Sequence, residues 1–188
     1  MQKKSELSFP DQFYVMDEQL TIAKFSFVMY RLISLDTSTL SASEHNKLAR
    51  NYQNFVKAQR AVIGQTLMVQ IHKFFDPTDR SIQMNKIIDQ CGTKSGQLTD
   101  KYAKLQSDHS GAIKILRNRV YAHTDIYEKP KDIFKDIETT YTDLLMIIEE
   151  LEIIMQEISE ELKIVRMPGV ESDLVEEEFE ALIMKGIA

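Results

Sequence analysis

Apolar positions recur at three- and four-residue steps along most of the chain, the period of helices that bury one face. The first such segment covers about residues 11–35. Phe13, Leu20, Phe27 and Ser34 mark one edge, Met16, Ala23, Tyr30 and Ile33 fill the stripe, and Asp11 after Pro10 is the expected cap. A polar break over residues 36–43 offers a cap at Ser41 or Ser43. The second segment, about residues 43–75, carries Leu48, Tyr52, Phe55, Ala58, Val62, Leu67, Val69 and Ile71, and Pro77 stops it. A short third segment, about residues 80–90, has Ile82, Met84, Ile87 and Ile88, with Gly92 as its cap. The fourth, about residues 95–122, has Leu98, Tyr102, Leu105, Ala112, Leu116 and Val120. Gly111 inside it marks either a close backbone approach or a tolerated defect.

The fifth segment has the clearest pattern. After Pro130, the residues Ile137, Tyr141, Leu144, Ile148, Leu151, Met155, Ile158, Leu162 and Val165 alternate steps of four and three. That seam suits a bundle helix with a narrow apolar face or a seam between two chains. Met167-Pro168-Gly169 then breaks the pattern, and Val175, Phe179, Leu182 and Ile183 share one face of a short acidic segment. The expected fold is all-α: an up-and-down bundle of about five helices with a short C-terminal helix. Residues 1–167 form the bundle and 168–188 an acidic amphipathic appendage that docks on it or on a partner.

Composition supports this outline. In 188 residues there are six Gly and four Pro, too few for a many-turned β fold, and 43 % hydrophobic residues, enough for a real core. A single cysteine, Cys91, excludes an intrachain disulfide and a Cys-rich metal site, and is read as packing. The lysines at the N-terminus lead into no apolar run, and no stretch reaches membrane-spanning length, so a cytoplasmic protein without membrane contact is expected. The net charge of −6 is unevenly spread. Residues 1–135 hold twenty Lys and Arg against fourteen Asp and Glu, whereas residues 136–188 hold three against fifteen. The mildly basic part accommodates a small phosphodiester site without an extended phosphate-tracking groove.

Candidate chemistry is concentrated at the end of the fourth segment, where Arg117, Asn118, Arg119, His123 and Asp125 lie within nine residues. Cleaving RNA requires a deprotonated 2′-oxygen, a protonated leaving oxygen and stabilised charge on the phosphorane. Histidine titrates near neutrality and moves protons without a metal. Arginine grips phosphate oxygens through a planar fork that keeps its charge. His123 and Arg117 supply these two types, Asn118 either orients a phosphate or fixes the helix end by bonding backbone, Arg119 is a further substrate-binding or supporting residue, and Asp125 is placed to hold the imidazole tautomer. On a regular helix Arg117 and His123 would lie about 120° and about 9 Å apart. They meet only if the helix ends between them or if two subunits share one cleft. A structural network pinning the helix end is the competing reading. His72, four residues before Asp76, reads chiefly as a helix-end histidine favoured by the dipole, with a metal or catalytic role as the alternative, and His109 as structural or exposed.

Arg117-Asn118 followed by Ala122-His123-Thr124-Asp125 resembles the Arg-x(4–6)-His signature of the HEPN superfamily, and most of all its AbiU-like branch, linked to abortive infection. Leu67 to Pro77 (LMVQIHKFFDP) resembles the same branch. The resemblance implies a homodimeric endoribonuclease with a site shared across a two-fold axis, metal-independent cleavage to a 2′,3′-cyclic phosphate, and no cofactor. Its context would be phage defence or a toxin–antitoxin system, with RNA as substrate and an antitoxin protein as partner. A related branch carries His-x-Tyr, the Tyr being modified by a partner nucleotidyltransferase; Asp125 stands there instead, so that regulation is not carried over. The alternatives are a non-catalytic HEPN module that binds nucleotide or a partner protein, and a purely structural helical dimer.

Overall fold

Helix α1 (Phe9–Ile33) is the axis on which the other helices assemble. The computed structural model describes residues 7–33, 41–78, 81–118 and 140–169, with residues 174, 175, 177, 178 and 181; the side chains at 44, 45, 48, 49 and 141 are not included. The chain continues as α2 (Ala42–Phe75), α3 (Met84–Ile88), a 3₁₀ turn (Gly92–Lys94), α4 (Ser95–Ile115) and α5 (Tyr141–Leu162). The fold is all-α, with no strand among the described residues. No helix among them is long and apolar enough to cross a membrane.

The expected stripe of α1 is buried, but so are Asp17, Gln19, Ser26, Val28 and Leu32 beside it, so α1 is enclosed on more than one side. Helices α2, α3 and α5 pack against it. Its cap is Ser8 rather than Asp11: the Asp11 N–H reaches Ser8 Oγ at 3.4 Å, and Ser8 Oγ donates to Asp11 Oδ2 at 2.5 Å. Pro10 can therefore sit inside the first turn, where no amide donor is needed.

Helix α5 begins with a capping box, the Asp143 N–H on Thr140 Oγ1 at 3.2 Å and the Thr140 N–H on Asp143 Oδ2 at 2.6 Å. Leu144, Ile148, Leu151, Met155 and Ile158 of the expected seam are buried within this chain, and so are Ile147 and Ile154. The apolar face is therefore wider than a two-chain seam requires, and α1 and α4 cover it. Each such aliphatic side chain contributes about 1.5–3 kcal/mol by leaving water. Val165, expected to end the seam, is exposed because the helix stops at Leu162 and Lys163 turns left-handed at φ 55°. Ile137 lies outside the described residues.

The first half of α2 departs from expectation. Tyr52, Phe55 and Val62, read as core, are 44 %, 63 % and 59 % exposed, and Ala58 is exposed too. Burial begins with Leu67, Met68 and Ile71. α2 has 34 residues against 25 in α1, so about 14 Å of its start runs past α1 at the usual rise, and beyond that overhang the face with Tyr52, Phe55 and Val62 is left uncovered by the described residues. The backbone also leaves helical geometry at Tyr52 (φ −131°, ψ 27°). Among the described residues no atom comes near where a Cβ of Gly111 would sit, so it marks no close approach between them. Cys91 is buried, as packing requires, and Gly92 adopts φ 51° to open the turn into α4.

Beyond α5 the chain returns to α1 and is clamped there. Asp17, wholly buried, accepts from Arg166 Nε at 2.8 Å, Arg166 Nη2 at 2.6 Å and the Met167 N–H at 2.9 Å. Arg166 Nη1 also reaches Glu152 Oε1 at 2.7 Å, and Lys24 lies 3.1 Å from Glu152 Oε2. One guanidinium thus joins α1, α5 and the segment after α5. Asp17→Ala would leave Arg166 without its buried counter-charge, and a loss of about 3–5 kcal/mol is expected. A urea midpoint equal to wild type would show that the clamp does not hold the bundle. Burial works to raise the Glu152 carboxyl, but hydrogen bonds from Arg166 and Lys24 and their charges outweigh it and hold it below its ordinary 4.5. Its stabilisation is therefore full above about pH 4.5 and lost as pH falls through the lower folded value, a slope that Glu152→Gln should flatten.

Candidate functional site

The end of α2 is held from several directions. Phe74 and Phe75 are buried, and the Tyr102 hydroxyl of α4 donates to the Phe74 carbonyl, one of the groups that a helix end leaves without an internal partner. The Phe75 and Tyr102 rings stack with centroids 6.4 Å apart. Pro77 prevents continuation. The Thr78 N–H bonds Asp76 Oδ1 at 3.0 Å, and Ser81 Oγ donates to the Thr78 carbonyl at 2.8 Å, so the chain folds back as one wall of a cleft. Burial of the Tyr102 ring, rather than a neighbouring charge, pushes its hydroxyl up to about 12, which keeps it a donor.

Helix α4 closes the other side. Its regular ladder ends at Ile115 and gives way to a π turn over residues 116–118, a departure common at functional sites. Leu116 is fully buried and anchors that turn to the core. Arg117, the next residue, points to α2, with Nη1 3.3 Å from His72 Nε2 and 3.5 Å from His72 Nδ1. A guanidinium has only donors, so the imidazole must accept through an unprotonated nitrogen. Val69, His72, Lys73, Asp76, Thr78, Ser81 and Arg117 line a cleft of about 310 Å³. Lys73 donates to Gln19 Oε1 of α1 and to Gln70 Oε1 at 2.8 Å, which fixes its ammonium beside the cleft.

His72 is held below its ordinary 6.5, first by burial and then by the charge of Arg117, with Lys114 adding to the effect and Asp76 opposing it. It therefore stays neutral at physiological pH. Of the expected site residues, Arg117 and Asn118 lie in the π turn, both half-buried. Arg119, His123 and Asp125 lie outside the described residues. His72, read from sequence chiefly as a dipole-favoured helix end, instead faces the motif arginine from 45 residues away. The available signal was the segment from Leu67 to Pro77, which carries His72 and Asp76 together. His109 is half-buried on α4, near enough to Asp143 for its charge to lower that carboxyl.

A half-buried arginine beside a neutral imidazole, on helices of one small bundle, is an arrangement suited to phosphate chemistry. The family model HEPN_AbiU2 (AbiU2) matches residues 9–168, and the chain belongs to this family. The matched region runs from the first residue of α1 to just beyond the Asp17–Arg166 clamp, so it takes in every helix named above. No curated protein and no solved structure matches the chain. The cleft's electrostatics give a direct check. Arg117→Met removes one of the two main causes that depress His72, so its titration, followed by imidazole proton shifts, should move up toward 6.5 without reaching it, burial remaining. An unmoved titration would show that Arg117 does not face His72 in solution.

Proposed function

We propose that this HEPN module is a metal-independent endoribonuclease acting in phage defence or in a toxin–antitoxin pair. The observation that carries the reading is the placement of Arg117, the arginine of the Arg-x(5)-His motif, in an open cleft at the end of α4 rather than in the packed core. There its fork is available to a phosphate. His123 supplies proton transfer, Asn118 and Arg119 contact the substrate, and Asp125 orients His123. Cleavage leaves a 2′,3′-cyclic phosphate and a 5′-hydroxyl. The bundle of residues 1–167 carries this activity, and the acidic segment 168–188 is the docking element for an antitoxin protein.

RNA cleavage by the purified protein separates this reading from a non-catalytic module that binds nucleotide or a partner protein. Activity should persist in EDTA, because histidine moves the protons. Dependence on added Mg²⁺ or Mn²⁺ would refute the mechanism. His123→Ala should slow the chemical step by about 10²–10⁴-fold. Arg117→Ala should cost on the order of 3–4 kcal/mol of transition-state stabilisation. Both variants should melt within a few degrees of wild type, whereas loss of stability with activity retained per folded molecule would identify a structural network instead.

The exposed stripe on the first half of α2 supports the homodimer in this reading. Phe55 and Val62 are seven residues apart, so they share one helix face, and Tyr52 is exposed at the bend just before them. A second copy covering that face would remove apolar surface that a monomer leaves in water. The protein should run as a dimer by light scattering, and Phe55→Glu should shift it to a monomer with little change in helicity. A monomeric wild type at micromolar concentration would rule the dimer out.

A further inference from the structure

Transesterification at an RNA phosphate needs two proton positions on opposite sides of phosphorus. A base must stand at the 2′-oxygen and an acid at the departing 5′-oxygen, and one imidazole does not reach both at once. Each chain has four histidines, at 45, 72, 109 and 123, and a dimer that shares its site would bring a second copy of each. Residue 45 is 27 positions from His72 on α2, about 40 Å of helix. His109 lies beside Asp143, toward α5. Among the described residues, His72 is the histidine that lines the cleft with Arg117.

Resting on the endoribonuclease reading, we infer that His72 is the general base that removes the ribose 2′-hydroxyl proton. Its ring touches the motif arginine, opens on a cleft of about 310 Å³, within the range that holds small ligands, and is fixed as an acceptor by the guanidinium. The step is balanced within the substrate. A ring nitrogen of His72 takes the 2′ proton, the 2′-oxygen forms a bond to phosphorus, and the bond from phosphorus to the 5′-oxygen breaks. That oxygen leaves as a 5′-hydroxyl with a proton from the acid, the role the proposed function gives to His123; His72 then loses its proton to water and the acid regains one from water.

Arg117 then has two successive roles. In the free protein its guanidinium lies against the imidazole, within 3.5 Å of both ring nitrogens. A bound phosphate offers the guanidinium a better, charged acceptor. Once Arg117 turns to it, the imidazole lone pair is released beside a new negative charge, which strengthens the base as substrate arrives. The charged groups facing the ring are Arg117 and Lys114 from α4 and its end, with Lys73 and Asp76 from the end of α2. The acid limb of kcat/KM, which reports the free enzyme, should therefore lie below the ordinary 6.5, and that of kcat should lie higher.

His72→Gln is the discriminating variant, because its amide oxygen still accepts from Arg117 but carries no proton at neutral pH. On a short single-stranded RNA containing a site already found in total RNA, kcat should fall by about 10²–10⁴-fold. KM and the melting temperature should stay near wild type, and the acid limb should disappear. A variant that keeps wild-type kcat and its acid limb overturns the assignment, leaving His72 to position Arg117, and so does one whose loss lies wholly in KM. If the variant does not fold, the wild-type profile decides: no acid limb in kcat/KM overturns the assignment, and a limb that moves up in kcat supports it. Wild-type protein that cleaves no RNA would sink the endoribonuclease reading itself, and this assignment with it. Cleavage with an undisturbed His72→Gln would sink this assignment alone.

Discussion

A carboxylate removed from water must be matched in charge and in hydrogen bonds, and Asp17 imposes that constraint at the centre of this bundle. It lies on α1, the helix that the others surround, and its two oxygens accept from Arg166 and from the Met167 backbone. The chain must therefore return from α5 along a defined path. Glu152 and Lys24 extend the match between α5 and α1. Aliphatic packing holds the helices together but is tolerant of sliding, whereas a buried ion pair with fixed donors admits few arrangements. In this bundle the clamp sets the register of α5 on α1, and the packing supplies the bulk of the stability.

That clamp could not be read from the sequence. Asp17 and Arg166 are 149 residues apart, and each alone resembles an ordinary surface charge on an amphipathic pattern. The helices themselves were legible because a 3.6-residue period is a local property: α1, α2 and α5 fall within a few residues of the segments expected from it. Pro77 marked the end of α2 for an equally local reason. Tyr52, Phe55 and Val62 show the limit of such reasoning. Periodicity reports that a helix has an apolar face, not whether this chain provides the surface to cover it. The seam on α5 had the same ambiguity and resolved in the opposite direction, being covered by α1 and α4.

The candidate site divides in the same way. Arg117 was singled out because a short motif names it, and it lines a cleft. His72 lies on another helix, and its relation to Arg117 exists only once α2 and α4 pack. Nothing within a few residues of His72 distinguishes it from a histidine that caps a helix dipole. Burial and a neighbouring cation then set its protonation state, and both are products of the tertiary fold. The contact between Arg117 and His72 thus depends on the packing of the two helix ends, and Phe74, Phe75 and Tyr102 lie beneath them.

The π turn at residues 116–118 has a consequence for how such a site can change over time. On an uninterrupted α-helix, the direction of every side chain follows from that of the residues before it, so a residue facing the cleft would be chained to the core stripe of Leu98, Tyr102, Leu105 and Ile113. The wider turn admits one residue outside that sequence of angles. Arg117 and Asn118 are thereby released from the rotational schedule of the core. Selection can then lengthen or shorten the stretch beyond Arg117, or redirect it, while Leu116 and the residues before it continue to answer only to packing.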